Sequence, residues 1–595
     1  MATDEWGIDD GWLDGQGRWI QANRDTVEAI RAVLGPPGRG RPAWVVRPGS
    51  TEPLLGPCRL VLEDGDDLGL RTDLPADLPL GIHTLTPTDG GPTTHLVASP
   101  GRCHVPTGPP TWGVTIQVPT ARSRHSWGIG DLHDVARLAR WLRGLGAGVI
   151  ALSPLHSPTP VPPIASSPYY PSSRRWHSPL LLRVDDLPGG QAPDVQALAE
   201  PARALLDRSL VDRDRSWAQQ RAALERLWQR RSGGEEQRLA AWRTDQGEPL
   251  EAWARFCLLA ERHGPRWRSW PPDLRHPSSA GVRAAALADP ERVAFHAWLQ
   301  LLVADQLDAL RSEGLRVVQD LAVGVDPSGA DAWCWQDLLA FDFTIGAPPD
   351  QFVPDGQRWG LPPWIPDRLR DAGYHPLAAL LRAGMGPGGG LRIDHAMGLE
   401  RLFWVPEGGD PADGAYVRFP AGHLMAVVAL ESTRAAALVV GEDLGTVEPG
   451  FRDRLREAGI HSTCVMWFED EPPEAWPSLA LGALTTHDLP TLAGMRSGAD
   501  SPARMREHLE QLVGPLDARP LDDLSAAVHA RLGAARCQVV VATLEDALGV
   551  LDRPNRPGTE DERNWSQALP VLVDDLPGHR GATRTLLALA SSRPD

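Results

Sequence analysis

The sequence contains no lysine, so all 59 residues counted as lysine or arginine are arginine. Mechanisms that need a lysine side chain are therefore excluded, which removes Schiff-base enzymes, pyridoxal-phosphate enzymes and phosphate-loop nucleotide-binding proteins. Phenylalanine and tyrosine are also scarce, at 9 and 4 residues, whereas tryptophan is abundant at 23. Because indole is a large flat surface with a single N–H donor, these tryptophans suit stacking on flat ligands as well as core packing.

Cysteine is sparse and dispersed, with six residues and no Cys-x-x-Cys pair. This pattern favours reduced, buried thiols and indicates neither a zinc site nor a disulfide framework. No apolar run approaches the roughly 18–20 residues of a membrane span, and the N terminus lacks the pattern of a secretory signal. The net charge of −18 argues against wide surfaces for nucleic acid or anionic lipid. We therefore expect a cytoplasmic protein that binds neither nucleic acid nor membrane.

The chain has 595 residues, 42% of them hydrophobic and 23% charged, which is enough to bury a large core. Residues 1–110 predict an N-terminal domain: a short helical lead, then short extended runs broken by Pro, Gly and Asp that favour a small β-sandwich-like domain. The Pro- and Gly-rich residues 106–110 predict its boundary. Residues 111–595 are predicted to form the catalytic domain.

Within the catalytic domain, short apolar runs that are typical of buried strands alternate with helical stretches. Eight such runs occur, at residues 113–118, 148–153, 315–318, 390–393, 437–440, 462–466, 481–484 and 538–542. Alternation of this kind predicts a parallel sheet, and eight units fit a (β/α)8 TIM barrel. Residues from about 195 to 310 are long and helix-rich, so we predict a helical insertion there.

Polar side chains directly follow several of these strands. Asp394-His395, Glu442-Asp443, His487-Asp488 and Asp320 all stand at or just after a predicted strand end. Since the carboxyl ends of barrel strands meet on one face, we expect several carboxylates to share one cleft. Like charges in one cleft separate their pKa values, so that one group donates a proton while another stays ionised, as glycoside chemistry requires.

Other interpretations of these carboxylates remain open from spacing alone. Asp320 and Asp443 equally fit the role of a helix cap or turn residue. Carboxylates together with His395 and His487 also fit a cation site, so metal-dependent hydrolysis competes with glycoside chemistry.

Eight segments carry a resemblance to a known family. The most informative, residues 391–408, contains Arg392, Asp394 and His395. It resembles the nucleophile segment of the 4-α-glucanotransferases (amylomaltases or disproportionating enzymes) of glycoside hydrolase family 77. Segments similar to the family's follow the same order at residues 126–131, 167–175, 346–350, 356–363, 391–408, 441–445, 486–488 and 555–559. The chain departs from the family pattern at Ser178, Ala396-Met397, Glu400 and His423.

The resemblance implies a retaining transferase of starch, glycogen and maltose metabolism. Asp394 matches the nucleophile that forms a covalent glucosyl-enzyme, and Glu442 matches the general acid/base. Asp488 matches the third carboxylate, which stabilises the transition state through the ring hydroxyls. Two inversions then retain the α configuration. Strand alternation places Arg392 on the same face as Asp394, where a guanidinium keeps a nucleophile ionised.

The resemblance also implies the substrate-binding residues. Tyr169 is expected to stack under the sugar, and His395 and His487 to contact its hydroxyls. Residues 346–366 resemble the loop that overhangs the acceptor side, where Trp359 and Trp364 are expected to stack on sugar rings and favour the acceptor over water. The remaining candidates for substrate binding are Asp320 and Asn555.

The expected partners are malto-oligosaccharides, glucose and α-1,4-glucans, and neither a metal nor an organic cofactor is expected. The alternatives are an α-glucan hydrolase on the same scaffold and a non-catalytic carbohydrate-binding homologue.

Overall fold

The computed structural model describes residues 2–14, 17–38, 43–350 and 353–593. The chain divides into two compact units. The first unit comprises residues 1–107, 321–327 and 335–462, and the second comprises residues 108–320, 328–334 and 463–595.

The strands of the described residues are short and mostly buried. In chain order they are β1 (Gly11–Leu13), β2 (Trp19–Gln21), β3 (Ala43–Val46), β4 (Pro53–Val61), β5 (Asp67–Asp73), β6 (Gly81–Pro87), β7 (Thr94–Ala98), β8 (Thr111–Ile116), β9 (Val149–Leu152), β10 (His156–Ser157), β11 (Ser173–His177), β12 (Arg316–Leu321), β13 (Phe343–Ala347), β14 (Gln357–Arg358), β15 (Gly390–Ile393), β16 (Arg401–Pro406), β17 (Ala415–Arg418), β18 (Leu438–Gly441), β19 (Ser462–Val465), β20 (Ala480–Ala483) and β21 (Val539–Thr543).

The described residues also form seventeen α-helices. They are α1 (Arg24–Leu34), α2 (Leu132–Gly144), α3 (Pro193–Arg203), α4 (Arg213–Gln229), α5 (Gly233–His263), α6 (Ala280–Ala288), α7 (Pro290–Arg311), α8 (Ala330–Cys334), α9 (Pro366–Asp371), α10 (His375–Met385), α11 (Ala421–Ala435), α12 (Phe451–Glu457), α13 (Leu492–Ser497), α14 (Ala503–Val513), α15 (Leu521–Gly533), α16 (Leu544–Ala547) and α17 (Arg580–Ser591).

The second unit contains six of the eight predicted parallel strands, in the order β12-β9-β8-β21-β20-β19. The pairs β8–β9, β9–β12, β8–β21 and β20–β21 are parallel. In β21 the run Val539-Val540-Val541 is almost fully buried, as expected for a strand covered on both faces. After β8, the Asp131 side chain caps α2 in a capping box with Asp134, and both carboxylates pair with buried Arg183 at 2.5 Å.

The first unit contains the other two parallel strands, β15 and β18, which pair directly. It also holds the four-stranded antiparallel sheet β14-β13-β16-β17, which the sequence did not predict. Of the predicted N-terminal sandwich, the described residues form one five-stranded sheet, β3-β7-β6-β4-β5, over a small apolar core around Leu60 and Leu96.

All eight predicted segments form strands, and α-helices lie between successive ones along the chain except between β19 and β20, where there is a 3-10 turn at Pro473–Ala475. The fold class is therefore α/β with a (β/α)8 TIM barrel, as the sequence predicted. The helix-rich stretch before β12 contains α3 to α7, of which α5 is broken at Gly247 with a φ of 62°. Among the described residues, no helix is both long and apolar enough to cross a membrane.

Candidate active site

The nucleophile candidate Asp394 lies directly after β15. Its backbone N–H donates to the Leu321 carbonyl at 3.0 Å, which fixes the chain where the strand ends. The next residue, His395, has a φ of 48°, so the chain turns sharply there into a short 3-10 turn at Ala396–Leu399. The Arg392 Nη1 donates to Asp394 Oδ1 at 3.1 Å. A guanidinium at hydrogen-bonding distance stabilises the negative charge that a nucleophilic carboxylate needs.

The acid/base candidate Glu442 follows β18, which pairs with β15. Both of its carboxyl oxygens accept backbone N–H groups: Oε2 from His395 at 2.9 Å and Oε1 from Leu444 at 2.8 Å. The Ala396 N–H donates to the Glu442 carbonyl at 2.8 Å. The Glu442 side chain is therefore held against the turn that carries Asp394.

Glu442 has the protonation behaviour of a general acid. Burial raises the pKa of its carboxyl to about 7, the Arg392 guanidinium opposes this in part, and the negative charge of Asp394 adds to the increase. A carboxyl with a pKa near the working pH carries a proton for a substantial part of the time and still releases it readily. Asp394, which is hydrogen-bonded to Arg392, is thus suited to stay ionised, and Glu442 is suited to donate a proton.

Two aromatic rings lie beside this pair. The Trp359 and His395 rings meet edge to face at 5.0 Å, and the Trp359 Nε1 donates to Gln357 Oε1 at 3.1 Å. Burial lowers the pKa of His395 to about 4, so its imidazole is neutral at pH 7. Trp364 is 8% exposed and packs against Trp335 at 5.5 Å. Both tryptophans belong to the predicted acceptor loop, residues 346–366, of which residues 351–352 lie outside the described ones. Trp359 is half-buried and is therefore the more accessible of the two.

A second cluster is built within the second unit around Tyr169. The Tyr169 hydroxyl donates to Asp320 Oδ2 at 2.6 Å and lies 3.5 Å from His487 Nδ1. The rings of Tyr169, His487 and Trp565 contact one another at centroid distances of 4.9 to 5.2 Å. This aromatic cluster joins chain segments that are far apart in sequence.

Asp488 belongs to the same unit. The Asn555 Nδ2 donates to Asp488 Oδ1 at 2.6 Å, and Arg553 donates to the Asp488 carbonyl. His487 Nε2 lies 3.4 Å from Asp488 Oδ2. With 41% of its side chain exposed, Asp488 is accessible to a ligand while its carboxylate is oriented by Asn555.

Of the predicted residues, Arg392, Asp394, His395, Glu442 and Trp359 cluster within the first unit, and Tyr169, Asp320, His487, Asp488 and Asn555 within the second. The convergence of all the carboxylates in one cleft stays a prediction, as do the individual roles.

Three residues that the sequence analysis did not single out join these clusters. Trp565 has a φ of 61°, unusual for an aromatic residue, and no sequence pattern marks it. Arg553 lies two residues before the segment 555–559 that resembles the family. Glu545 follows β21; burial, assisted by Asp546, raises the pKa of its carboxyl to about 7, and His487 of the second cluster opposes this increase. Its position after a barrel strand was the available signal.

Other predicted or unusual polar residues have structural partners. Asp443 is fully buried and pairs with Arg452 at 3.0 Å. Glu400 pairs with Arg454, and His423 Nδ1 lies 3.0 Å from the Tyr374 hydroxyl. Within the described ranges, no group of three or more His, Cys, Asp or Glu side chains is arranged to hold a metal ion; the expectation that no metal is needed stays a prediction.

The fold and these carboxylates define a (β/α)8-barrel enzyme of the glycoside-hydrolase type. The sequence model of the 4-alpha-glucanotransferase family, glycoside hydrolase family 77, matches residues 116–572. The chain belongs to this family, and it is an enzyme that transfers glucan segments.

Individual relatives of similar sequence are named after the same activity as the family. The chain is 40% identical to a 4-alpha-glucanotransferase of Mycobacterium tuberculosis over 84% of its own length and 79% of the relative's. It is 38% identical to one of Haemophilus influenzae, over 64% and 59% of the two chains.

Solved structures agree as well. The crystal structure of an amylomaltase from Corynebacterium glutamicum is similar with a TM-score of 0.85 at 28% identity, covering 100% of this chain and 99% of that one. An amylomaltase from Streptococcus agalactiae in complex with acarbose shares the fold with a TM-score of 0.68 at 17% identity, covering 82% and 100%.

The pKa of Glu442 predicts the pH dependence of the first chemical step. If Glu442 must be protonated, kcat/KM falls by about tenfold per pH unit above a limb near pH 7. Arg392→Gln removes a positive charge that favours the Glu442 anion, so this limb moves to higher pH while the overall rate falls. The measurement is the initial rate of glucose release from maltotriose across the neutral range. Arg452→Gln, which removes a guanidinium paired with Asp443 instead, should leave the limb in place.

Proposed function

We propose that the chain transfers α-1,4-glucan segments from a donor malto-oligosaccharide to glucose or another glucan through a covalent glucosyl-enzyme. The observation that carries this proposal is the pair formed by Asp394, held by Arg392, and Glu442, whose pKa of about 7 suits a proton donor. These are the two complementary states that a retaining mechanism assigns to its two carboxyls.

In the first step, an Asp394 carboxylate oxygen bonds to the anomeric carbon of the donor while the glycosidic bond breaks. The electron pair of that bond stays on the departing oxygen, which takes the proton of Glu442. In the second step, the Glu442 carboxylate removes the proton of an acceptor hydroxyl, whose oxygen bonds to the anomeric carbon as the ester to Asp394 breaks. Both carboxyls return to their starting states, and the α configuration is retained.

For the second unit, we propose that Asp488 binds and orients ring hydroxyls of the sugar. Its orientation by Asn555 at 2.6 Å supports this, because a fixed carboxylate binds a hydroxyl at a lower cost in side-chain entropy. Tyr169 and Trp565 offer flat faces, and His487 and Asp320 offer polar atoms, which together suit a sugar ring.

The state of the cysteines supports a proposal for the cellular location of the protein. All six cysteines are free, and five of them are buried. Reduced, buried thiols fit a reducing compartment, so we propose a cytoplasmic location.

Incubation with maltotriose tests transfer against hydrolysis. A transferase converts maltotriose into longer oligosaccharides plus glucose, with little net increase in reducing ends. A steady increase in reducing ends without longer products would instead establish the hydrolase alternative. Complete absence of turnover, with binding of maltotriose retained, would establish the non-catalytic one.

Trp359 is expected to set the balance between transfer and hydrolysis. Its ring lies beside His395, next to the Asp394 turn, and a sugar stacked on it would keep water from the glucosyl-enzyme. We expect Trp359→Ala to lower the ratio of transfer to hydrolysis by roughly threefold to tenfold, the value of one aromatic stacking contact. The ratio is measured from oligosaccharide profiles and reducing ends. Trp364→Phe, in the same loop but packed on Trp335, is the matched control and should change stability without changing the ratio.

A further inference from the structure

The N-terminal segment, residues 2–14, contacts the sheet that follows the nucleophile turn. The Asp9 N–H donates to the Tyr416 carbonyl at 3.0 Å, and the Arg418 N–H donates to the Gly7 carbonyl at 2.8 Å. An antiparallel bridge joins Ile8 to Val417, and the Trp12 ring packs on Phe403 at 5.1 Å. The segment is therefore built onto β16 and β17, although the matched region of the family begins only at residue 116.

Asp9 is the charged residue that the N-terminal segment contributes to this contact, and it is fully buried. Its Oδ2 accepts from Arg401 Nη1 at 3.0 Å and from Arg418 Nη2 at 3.1 Å, and its Oδ1 accepts from Arg418 Nε at 2.7 Å. The Thr3 hydroxyl also donates to Oδ1, at 2.7 Å. A carboxylate with this many charge-assisted bonds fixes the direction of both guanidinium groups.

Both arginines face Glu448, which lies in the loop that begins at Glu442. Arg418 forms a two-pronged pair with Glu448, at 2.7 and 3.1 Å, and Arg401 Nε lies 3.9 Å from it. Residues 442–450 contain neither helix nor strand, and the Glu448 side chain ties this loop to Arg418. The near end of the loop carries the Leu444 N–H that binds Glu442 Oε1. A chain of ion pairs therefore runs from Asp9 through Arg418 to the loop of the proposed acid/base.

We propose that Asp9 is a positioning residue for the transfer reaction, and that the N-terminal segment acts in cis to hold the 442–450 loop and with it Glu442. Without the Asp9 carboxylate, the Arg418 guanidinium would lose both of its bonds to Asp9, which fix its direction toward Glu448. Arg418 would then hold Glu448 less firmly, and the loop would lose its fixed end. The inference rests on the proposed role of Glu442.

The test compares Asp9→Asn with Asp10→Asn in the full chain. Asp10 is the exposed neighbour of Asp9, and Asp10→Asn removes the same charge from the segment. We expect D9N to lower kcat for maltotriose by roughly tenfold to a hundredfold, the range for a displaced catalytic group, with KM changed by less than about threefold. Because burial is the largest influence on the pKa of Glu442, a loosened loop admits water and moves the alkaline limb of the pH profile to lower pH. D10N should match the wild type in both.

Thermal unfolding separates positioning from stability alone. If D9N lowers the Tm while kcat and the pH limb stay at wild-type values, Asp9 is only structural and the proposal is overturned. Unchanged Tm, kcat and pH limb would overturn it as well.

Glu448→Gln gives an independent arm should D9N fail to fold. Glu448 is at the other end of the ion pairs and is partly exposed, so its loss is easier to tolerate. The same fall in kcat with the same shift of the limb supports the proposal, and wild-type values contradict it. Glu442→Gln distinguishes failure of the Glu442 role from failure of the Asp9 role. Wild-type activity in E442Q would contradict the proposed acid/base role of Glu442. An inactive E442Q together with wild-type kinetics in D9N and E448Q would contradict only the positioning role of Asp9.

Discussion

Replacing Asp394 by asparagine should abolish transfer, with kcat on maltotriose reduced on the order of 10⁴-fold or more, as for the loss of other catalytic nucleophiles. An amide is a poor nucleophile and cannot form the ester that links the sugar to the enzyme. The substitution is nearly isosteric, and the amide oxygen can still accept the hydrogen bond from Arg392 that holds this side chain at 3.1 Å. The Tm should therefore remain close to that of the wild type. The measurement combines the initial rate of glucose release with thermal unfolding.

Asp453→Asn is the matched control for this experiment. Asp453 lies in α12, its side chain is 63% exposed, and it pairs with Arg456 on the same helix. Exposed pairs of this kind contribute little to stability, so this variant should retain wild-type kinetics. Full turnover in Asp394→Asn would show that the role assigned to Asp394 is wrong.

Replacing Glu442 by glutamine should lower kcat on maltotriose by about 10²–10⁴-fold, the usual contribution of general acid–base catalysis. The reason is that glutamine cannot protonate the departing oxygen. A donor whose leaving group needs no proton, such as an α-glucosyl or α-maltosyl fluoride, should react much better with this variant. The acceptor hydroxyl would still lack its base, so the glucosyl-enzyme should accumulate and appear as an added sugar mass on the intact protein.

This mass measurement also separates the two carboxyls. E442Q should carry the adduct with the fluoride donor, whereas D394N should carry none. Glu457→Gln, an exposed glutamate at the end of α12, provides the control and should turn over without a stable adduct. An E442Q variant that turns over maltotriose at the wild-type rate would exclude Glu442 as the acid/base.

The barrel strands were predictable because each is a short apolar run between turn residues. Parallel strands buried on both faces need such runs, and β21 with its three consecutive valines illustrates the pattern. The four-stranded sheet β14-β13-β16-β17 was not predicted, because its strands interrupt the βα alternation and β14 has only two residues. The cap of α2 is local in the same sense, because the Asp131 side chain accepts the N–H of Asp134, three residues along the chain.

The clusters around the candidate residues were only partly predictable. Asp394 and Arg392 are two residues apart on one strand, so their contact follows from strand alternation. Trp565 contacts Tyr169, almost four hundred residues earlier, and Asp9 binds Arg401 and Arg418, about four hundred residues later. Contacts at such separations depend on how the elements pack, and a single sequence has no periodicity that records them.

By itself, the sequence determined the family, the order of the barrel strands and the identity of the candidate carboxylates, because these depend on residue type and on local spacing along the chain. The tertiary structure alone decided that the pKa of Glu442 lies near 7 and that Asp9 is buried between two arginines. The physical reason is that a pKa and an ion pair depend on burial and on charges supplied by other elements. Those neighbours come together only when the chain folds.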